Sequence, residues 1–312
     1  MKYQEKITLI LVGLIIGIVL LEVLFRMFYF TYSNYNTEMW RYSKELKKAS
    51  NIPGLTHEHV PNKSVFLYGV EIKTNSLGLR SNTEYEIRKS ENITRILILG
   101  DSIVLGWGVP YENIFSEKLN ENLGDNYEVI NAGVGNYNTK SELSVLNNLL
   151  YLKPDKVILV FYLNDFEEVK YSDNFIIKNS YLYNFLFDKF ISIKYKDNSN
   201  YYLNLIGNEE AISDTKDSLV KMINIAKEEN IEFVLVYFPD LRNLSSENNE
   251  RVKVFIETIK RENPEIIYID LSDSFKGFSE RELWVSNEDA HPNAIAHKIV
   301  ADKIYKELKS IG

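Results

Sequence analysis

The sequence of 312 residues contains no cysteine. This absence excludes disulfide frameworks, cysteine-based zinc sites, a thiol nucleophile and a lipidated N-terminal cysteine. A basic excess is also lacking, because 36 lysine and arginine residues stand against 44 aspartate and glutamate residues, giving a net charge of −8. Nucleic acid is therefore not an expected partner, since such binding depends on basic side chains that displace counterions from phosphates.

The composition that is present is typical of a folded protein. Hydrophobic residues make up 45% of the chain and charged residues 26%. These proportions argue against a disordered or fibrous protein and predict a chain that buries a sizeable interior. The length suits either two average domains or one larger α/β domain.

An apolar segment near the N-terminus predicts a membrane anchor. Positions 7–21 carry no charged residue, and at ~1.5 Å per residue they cover ~22 Å of a hydrocarbon core that is ~30 Å thick. Continuation to Phe30 reaches spanning length, provided that Glu22 and Arg26, four positions apart on one helix face, pair near the interface. Four aromatic residues at this end are typical of an interfacial belt: Phe28, Tyr29, Phe30 and Tyr32.

The rival interpretation of this segment is a cleaved signal peptide. It is disfavoured because no small-x-small cleavage site follows the apolar run, so we predict an uncleaved, single-pass anchor in the cell membrane over residues 1–35. Charge counting leaves the orientation open, because basic residues lie on both sides: Lys2 and Lys6 before the segment, and Arg26, Arg41, Lys44, Lys47 and Lys48 at its end or after it. An export-type anchor ahead of a large domain favours the extracytoplasmic face for that domain.

The rest of the chain divides into a polar connector, residues 36–90, and a regular α/β region, residues 91–312. Short β-branched-rich runs predict five buried strands: 95–99, 127–130, 156–162, 231–238 and 265–269. Apolar residues three or four apart predict helices between them: 114–123, 140–151, 214–230 and 248–262. This alternation predicts a three-layer α/β/α domain around a parallel sheet. Residues 166–207 interrupt it and are expected to be an insertion, either a lid or a surface excursion.

The residues that follow each strand are the candidates for chemistry, because ligands of an open parallel sheet bind at the carboxyl ends of its strands. Gly100, Asp101 and Ser102 follow the first strand, where glycine permits a tight turn that leaves the serine exposed before a helix. The loop 131–139 follows the second strand and can bring main-chain amides together, and Asn164 follows the third. Each feature taken alone is also ordinary turn or helix-capping chemistry.

A candidate acid and a candidate base stand almost side by side near the C-terminus. His291 follows Glu288 and Asp289 and precedes Pro292, which is expected to fix the first turn of a final helix. A serine hydroxyl is a poor nucleophile until a base removes its proton, and an imidazole serves best when a carboxylate holds its other nitrogen. The remaining histidines are expected to have packing or surface roles: His57, His59 and His297.

Taken in this order, the four sites resemble the SGNH hydrolase superfamily, also called GDSL-type esterases, over about residues 93–308. The anchor and the segment 75–80 are similar to its membrane-tethered bacterial members. The resemblance implies a flavodoxin-like three-layer fold and a serine esterase that needs no cofactor or metal. It implies a catalytic triad of Ser102, His291 and Asp289. It implies oxyanion donors at three places: the main-chain amide of Ser102, a main-chain amide at Gly135 or Asn136, and the side-chain amide of Asn164.

The sequence departs from the family pattern at three positions. The acid of the family commonly stands three residues before the histidine, a place that Glu288 holds here, whereas Asp289 stands two residues before His291. Either carboxylate is therefore a candidate. The family usually has a glycine two residues before the asparagine that corresponds to Asn164, and Tyr162 stands at that place here. In the loop 131–139, Asn136 stands where the family has a glycine, although its main-chain amide can still donate.

The expected reaction is hydrolysis of acyl esters, O-acetyl or other, on a carbohydrate or lipid of the cell envelope. Two alternatives stay open. The first is O-acyl transfer to a cell-surface glycan, because a triad does not distinguish water from a sugar hydroxyl as the acceptor. The second is a non-catalytic glycan-binding scaffold, which the presence of Tyr162 and the shifted acid suggest.

Overall fold

The computed structural model describes residues 3–28, 34–194 and 201–311. Its helices are α1 (Tyr3–Phe28), α2 (Tyr35–Glu45), α3 (Ser102–Leu105), α4 (Phe115–Leu123), α5 (Thr139–Leu149), α6 (Phe175–Asn179), α7 (Tyr181–Lys194), α8 (Tyr201–Ile206), α9 (Glu209–Glu228), α10 (Glu247–Glu262) and α11 (Ala294–Ile311). Its strands are β1 (Lys47–Ala49), β2 (His57–His59), β3 (Ser64–Leu67), β4 (Val70–Lys73), β5 (Thr94–Leu99), β6 (Tyr127–Asn131), β7 (Lys156–Phe161), β8 (Glu232–Tyr237), β9 (Ile267–Asp270), β10 (Trp284–Ser286) and β11 (Asp289–Pro292). Short 3₁₀ turns cover Tyr111–Asn113, Leu150–Leu152, Leu163–Phe166, Ser272–Phe275 and Glu280–Leu283.

The chain forms two compact units. One contains residues 46–171 and 199–312, and the other contains residues 1–45 and 172–198. We call the first the α/β unit and the second the N-terminal unit.

A five-stranded parallel sheet in the order β6-β5-β7-β8-β9 is the centre of the α/β unit. This confirms the predicted parallel α/β fold, and each strand begins within two residues of its expected position. The central strands read as apolar runs because both of their faces are buried, as in β7, where five of six residues are buried.

Helices cover both faces of the sheet, as expected for three layers. Apolar residues of α5, α9 and α10 pack in one core cluster, which includes Leu146, Met222 and Ile256. The other face is covered by α4 and α11, through residues such as Leu119 and Val300. Parallel strands joined by helical crossovers bring all their carboxyl ends to one edge of the sheet, which places the candidate residues together.

The C-terminal helix begins later than expected. Pro292 was expected in its first turn, but the residue ends β11, and α11 starts at Ala294. The side chain of Asn293 accepts hydrogen bonds from the amides of Ile295 and Ala296 and so caps the helix. His291 therefore lies in a short hairpin with β10 rather than in a free loop.

The connector packs against the sheet through short hairpins and one buried arginine. In the connector, β1 pairs with β2 and β3 with β4, both antiparallel. Arg80 is fully buried and donates to the main-chain carbonyls of Leu105, Gly106 and Val109, each at 2.7 Å. These bonds fix the segment that follows α3.

The N-terminal helix α1 is long and apolar enough to cross a membrane. Its apolar stretch of 18 residues has a mean hydropathy of 2.9, and none of that stretch is buried. A signal sequence would share these properties. The expected pairing of Glu22 with Arg26 is confirmed, with 2.8 Å between Oε1 and Nε. Phe28 of the predicted aromatic belt is exposed, and Tyr29, Phe30 and Tyr32 lie outside the described residues.

Candidate active site

Ser102 is the first residue of α3, at the carboxyl end of β5. Asp101 caps this helix, because its Oδ1 accepts the amide of Ile103 at 2.8 Å. The preceding turn needs glycine, since a Cβ at Gly100 would lie 2.2 Å from Cγ2 of Val104. The tight turn places the serine hydroxyl at the edge of the sheet where the other candidate residues end.

His291 contacts this serine directly. Its Nε2 lies 2.8 Å from Oγ of Ser102, although 189 positions separate the two residues. Its Nδ1 lies 2.5 Å from Oδ1 of Asp289, which also accepts the main-chain amide of His291 at 3.0 Å. An ionised carboxylate can only accept, so the hydrogen of the neutral imidazole is on Nδ1 and the lone pair of Nε2 faces the serine. The structure thus brings Ser102, His291 and Asp289 together.

The two candidate acids differ in their surroundings. Asp289 is 3% exposed, and its Oδ2 accepts the indole N–H of Trp107 at 3.0 Å. Glu288 is exposed, and its main-chain amide donates to Ser286 in the turn of the hairpin. Of these two candidates, Asp289 is the one whose carboxylate contacts the imidazole.

Trp107 is a residue that sequence reasoning did not identify. Its side chain is buried, and a buried indole N–H usually has a hydrogen-bond partner. The presence of tryptophan five positions after Ser102 could have signalled a polar contact. Its partner, Asp289, is 182 positions away and could not be read from the sequence.

The loop after β6 is held tightly against α3. The side chain of Asn131 donates to the carbonyl of Val104 and accepts the amide of Gly133. A Cβ at Gly133 would lie 2.3 Å from the main-chain nitrogen of Leu105, so only glycine fits there. The amide of Val134 donates to the carbonyl of Gly100 at 3.2 Å. These contacts fix residues 131–134 beside Ser102.

The peptide between Gly135 and Asn136 has an exposed end and a buried end. Asn136 is exposed and has a φ of 69°, in the left-handed region that favours glycine or asparagine. Its amide donates to no acceptor within the described ranges. The carbonyl of Gly135 accepts from Nζ of Lys47 at 2.5 Å and is 3.1 Å from Nε2 of His57. Because a trans peptide points its C=O and N–H in opposite directions, these connector residues orient the Asn136 amide away from themselves.

Lys47 and His57 are also missed by sequence reasoning. Both side chains are buried. Burial lowers the pKa of Lys47 from 10.5 to about 7, and burial followed by the charge of Lys47 lowers the pKa of His57 to about 3. Since His57 is neutral at ordinary pH and its Nδ1 faces the hydroxyl of Thr56 at 2.9 Å, its Nε2 carries the hydrogen that reaches Gly135.

Asn164 lies in the 3₁₀ turn after β7 and contacts Asp101. Its Nδ2 donates to Oδ2 of Asp101 at 2.8 Å, so Asp101 both caps α3 and orients this amide. An amide nitrogen carries two hydrogens, which leaves the second one for another acceptor. Tyr162, the departure from the family pattern, is partly buried, and its hydroxyl lies 3.4 Å from Oδ1 of Asp240.

Two buried carboxyl groups, those of Asp165 and Glu142, lie close to Asn164 in the fold. Asp165 accepts from the hydroxyl of Thr139 at 2.9 Å and from the amide of Tyr162 at 2.7 Å. Burial, with the nearby charge of Asp101, raises the pKa of Asp165 to about 7. Burial and the charge of Asp165 raise the pKa of Glu142 well above its usual value. Both shifts favour the uncharged form of these carboxyl groups, because burial penalises their charged form.

A polar cavity of about 790 Å³ opens beside Asp165. Its polar lining comes from the loop 131–139, from α5, from α9 with its capping residue, and from the residues after Asn164: Asn138, Lys140, Ser141, Asp165, Glu167, Glu168, Asn208, Glu210 and Asp214. Such a lining offers many hydrogen-bonding groups to a polar ligand.

Over residues 3–28, 34–194 and 201–311 no group of three or more metal-ligating side chains is arranged to hold a metal ion. His297, one of the histidines expected to have a structural role, is buried. Its Nδ1 accepts the amide of Phe115 at 3.0 Å, and burial lowers its pKa to about 3. His59 is also buried and contacts the carbonyl of Gly78.

Comparisons with known proteins give one sequence family and a group of similar folds. Residues 98–299 match the GDSL-like lipase/acylhydrolase family. No curated protein sequence matches the chain. The solved structure of TesA has 16% identity and a TM-score of 0.50, over 70% of this chain and all of its own, which shows a shared fold.

Two further solved structures have comparable coverage. The psychrotrophic esterase EstA from Pseudoalteromonas sp. has 16% identity and a TM-score of 0.48, over 70% of this chain and 98% of its own. The acetyl xylan esterase AlAXEase has 19% identity and a TM-score of 0.46, over 68% of this chain and 98% of its own.

Proposed function

Because the chain belongs to the GDSL-like lipase/acylhydrolase family and is an ester-bond hydrolase, we propose that it cleaves acyl esters through a triad of Ser102, His291 and Asp289. The observation that carries this proposal is the 2.8 Å contact between Oγ of Ser102 and Nε2 of His291. It is supported by the buried carboxylate on the far side of the imidazole, at 2.5 Å from Nδ1.

In the first half of the reaction, Nε2 of His291 takes the proton of the Ser102 hydroxyl while Oγ bonds to the ester carbonyl carbon. The imidazolium is stabilised by Asp289, which remains ionised. The tetrahedral intermediate then collapses, His291 gives its proton to the leaving alkoxide, and the acyl group stays on the serine. In the second half, water attacks this acyl-serine with the same base, and the carboxylic acid and free serine are released.

The oxyanion of the intermediate needs fixed hydrogen-bond donors. We assign these to the main-chain amide of Ser102, the main-chain amide of Asn136 and the second N–H of the Asn164 side chain. Asn136 is preferred to Gly135 because its amide is on the exposed end of a peptide whose carbonyl is held by Lys47. Donors that are already in place stabilise charge without reorganisation during the reaction.

The polar cavity beside Asp165 favours a carbohydrate rather than a lipid as the alcohol portion of the substrate. With α1 as an uncleaved anchor, the α/β unit acts on cell-envelope carbohydrate esters at the extracytoplasmic face. The lining of this cavity does not include Ser102 or His291. A second candidate function, O-acyl transfer, therefore requires a glycan that extends from the cavity to the acyl-serine, where one of its hydroxyls would replace water. Glycan product formed from an acyl donor and a glycan acceptor, measured against released acid, separates the two functions.

The decisive experiment replaces the nucleophile. In Ser102→Ala, hydrolysis of 4-nitrophenyl acetate by the full chain should fall to the background rate, with an unchanged unfolding midpoint. Ser245→Ala, at an exposed serine on a loop, should keep full activity. Fluorophosphonate labelling should be present in the native chain and absent from both Ser102→Ala and His291→Ala. Full activity of Ser102→Ala would overturn the assignment, and absent labelling of the native chain would favour a non-catalytic scaffold.

A further inference from the structure

The N-terminal unit exposes an apolar face on α6 and α7. Leu186, Phe187 and Phe190 of α7 are 57%, 49% and 59% exposed, and Phe175 and Ile176 of α6 are also exposed. Soluble proteins rarely expose such groups of large apolar side chains unless the surface binds a partner or a membrane. The three residues of α7 are spaced at one and three positions, which places them on one side of the helix.

The opposite side of α7 faces the protein. Asp188 accepts a hydrogen bond from the side chain of Asn36 in α2. The ring of Tyr181 packs edge-on against Trp40, and the indole N–H of Trp40 donates to the carbonyl of Ile177. The helix is therefore amphipathic in the folded unit, with its exposed apolar side turned away from α2.

The beginning of α7 is attached to the anchor helix by a carboxylate. Glu22 of α1 accepts from the amides of Tyr181 and Leu182 at 3.1 and 3.0 Å, and from the hydroxyl of Ser180 at 2.8 Å. Arg26 pairs with the same carboxylate. A charged residue inside an apolar helix is costly unless it is paired, and here the free amides at the start of a helix satisfy it.

A second contact lies one turn further along both helices. The rings of Phe25 and Phe185 are 4.7 Å apart. Arg26 also donates to the carbonyl of Asn179, the last residue of α6, at 2.9 Å. Glu22 precedes Phe28, the last residue of α1, by six positions, or ~9 Å along the helix axis. The start of α7 therefore lies within about 10 Å of the end of α1, measured along the axis of α1. If α1 spans the membrane and ends at its surface, this distance matches the depth of about 5–10 Å to which amphipathic helices are buried at the boundary between headgroups and acyl chains.

We propose that α6 and α7 form a membrane-binding element, with Leu186, Phe187 and Phe190 inserted among the lipid acyl chains next to α1. The occupant of this face is the bilayer itself, because the helix that carries the face packs against α1 through the rings of Phe25 and Phe185, while the ammonium of Lys189 lies over the Phe185 ring at 5.6 Å. Lys189, exposed beside Phe190, would reach the headgroups. The element would fix how the N-terminal unit lies on the membrane, beyond the single tether. The proposal rests on α1 crossing the membrane.

The absence of cysteine allows a test without background labelling. Full-length Phe187→Cys, Phe190→Cys and Lys189→Cys, each with a nitroxide label, are placed in nanodiscs of phosphatidylethanolamine and phosphatidylglycerol. Ile16→Cys in α1 is the reference for the bilayer interior. The ratio of collision rates with oxygen and with a water-soluble nickel chelate reports the depth of each label. Ester hydrolysis by each variant is expected to be unchanged.

Labels at Phe187 and Phe190 should give ratios at least about threefold higher than the label at Lys189, because oxygen concentrates in the acyl region and the chelate is excluded. Equal ratios at the three positions would overturn the proposal. Exclusion of both reagents, or a high ratio that disappears on tenfold dilution into lipid, would instead mean that protein or a second copy covers the face. A low ratio at Ile16 would show that the premise of a spanning α1 fails, independently of catalysis.

Discussion

The two sides of Ser102 are built in different ways. The base side consists of His291 and Asp289, two residues apart in one hairpin, with Trp107 on the carboxylate. The oxyanion side is made from the loop after β6, Asn164 after β7 and the connector residues that hold Gly135. One short segment thus supplies the proposed acid and base, whereas the proposed oxyanion donors depend on several elements of the fold. Damage to the first should abolish catalysis, and damage to the second should weaken it in steps.

The largest effect is expected on the base side, for Asp289→Asn. An asparagine that keeps its oxygen on the indole N–H of Trp107 turns its NH₂ group toward Nδ1 of His291. Nδ1 must then accept a hydrogen bond, so the hydrogen of the imidazole moves to Nε2, which can no longer take the proton of Ser102. The kcat for 4-nitrophenyl acetate should fall about 10⁴-fold, the size of effect seen when a triad aspartate is replaced in this manner. Steady-state kinetics of the purified full chain measure it.

The matched control for that change is Glu288→Gln. Glu288 is exposed and its carboxylate does not contact His291 in the described structure, so kcat should stay within about twofold of the native value. If the two variants behaved in the reverse way, Glu288 would be the catalytic acid.

A smaller loss is expected on the oxyanion side, for Asn164→Ala. This change removes one donor to the oxyanion, which typically lowers kcat by ~10²–10³-fold. KM should change little, since the donor acts mainly on the charge that develops during the reaction. Fluorophosphonate labelling of Ser102 should slow in parallel. An unchanged kcat in a folded variant would remove Asn164 from the oxyanion hole.

Lys47→Met tests the support behind the oxyanion side. The variant loses the ammonium that holds the Gly135 carbonyl, while His57 still contacts the same oxygen. We expect kcat to fall about tenfold, as for the loss of one charged hydrogen bond, with KM unchanged, and Lys47→Arg to restore part of the rate. Lys48→Met, on the same strand but paired with Glu58 at the surface, should leave kcat unchanged. A drop in both variants would indicate a general effect on the connector.

Acid is expected to lower the stability of the fold. Burial lowers the pKa of three histidines from 6.5 to about 3, namely His57, His59 and His297. Because the unfolded chain takes up protons below pH 6.5 and the folded chain does not, stability is complete above pH 6.5 and falls as the pH drops toward 3.

At pH 4.5 each of these histidines should lower the free energy of unfolding by roughly 2–3 kcal/mol relative to pH 7. Urea unfolding at the two pH values measures the loss, and His57→Gln should reduce it by one such share while keeping a donor for Gly135. A free energy that is the same at both pH values would contradict the buried, neutral state of these side chains.

Two features can be predicted from the sequence for physical reasons: the parallel sheet, and the proximity of Asp289 to His291. Strands buried on both faces must be apolar runs, so β7 and β8 are visible without a structure. Asp289 and His291 are close in sequence and therefore close in space. The sequence does not decide between Asp289 and Glu288, because the choice depends on the turn of the β10–β11 hairpin, which points the Asp289 carboxylate toward the imidazole.

The rest could not be predicted, because it depends on contacts between distant positions. His57 and Gly135 are 78 positions apart, and neither residue type marks the contact. Residues 166–207 contain α6, α7 and α8, but their aromatic side chains follow no single core-facing period. An exposed face such as that of Phe187 and Phe190 breaks the rule by which amphipathic helices are recognised in soluble proteins.

The buried Arg80 has a practical consequence for anyone who shortens this protein. A version starting at residue 91, where the regular α/β pattern begins, would lose the guanidinium that serves three carbonyls between Leu105 and Val109, and with it Lys47 and His57. Those carbonyls, in the segment that follows α3 and Ser102, would lose their hydrogen-bond donor. A soluble enzyme for crystallisation or screening should therefore start at or before Leu46, the first residue of the compact α/β unit.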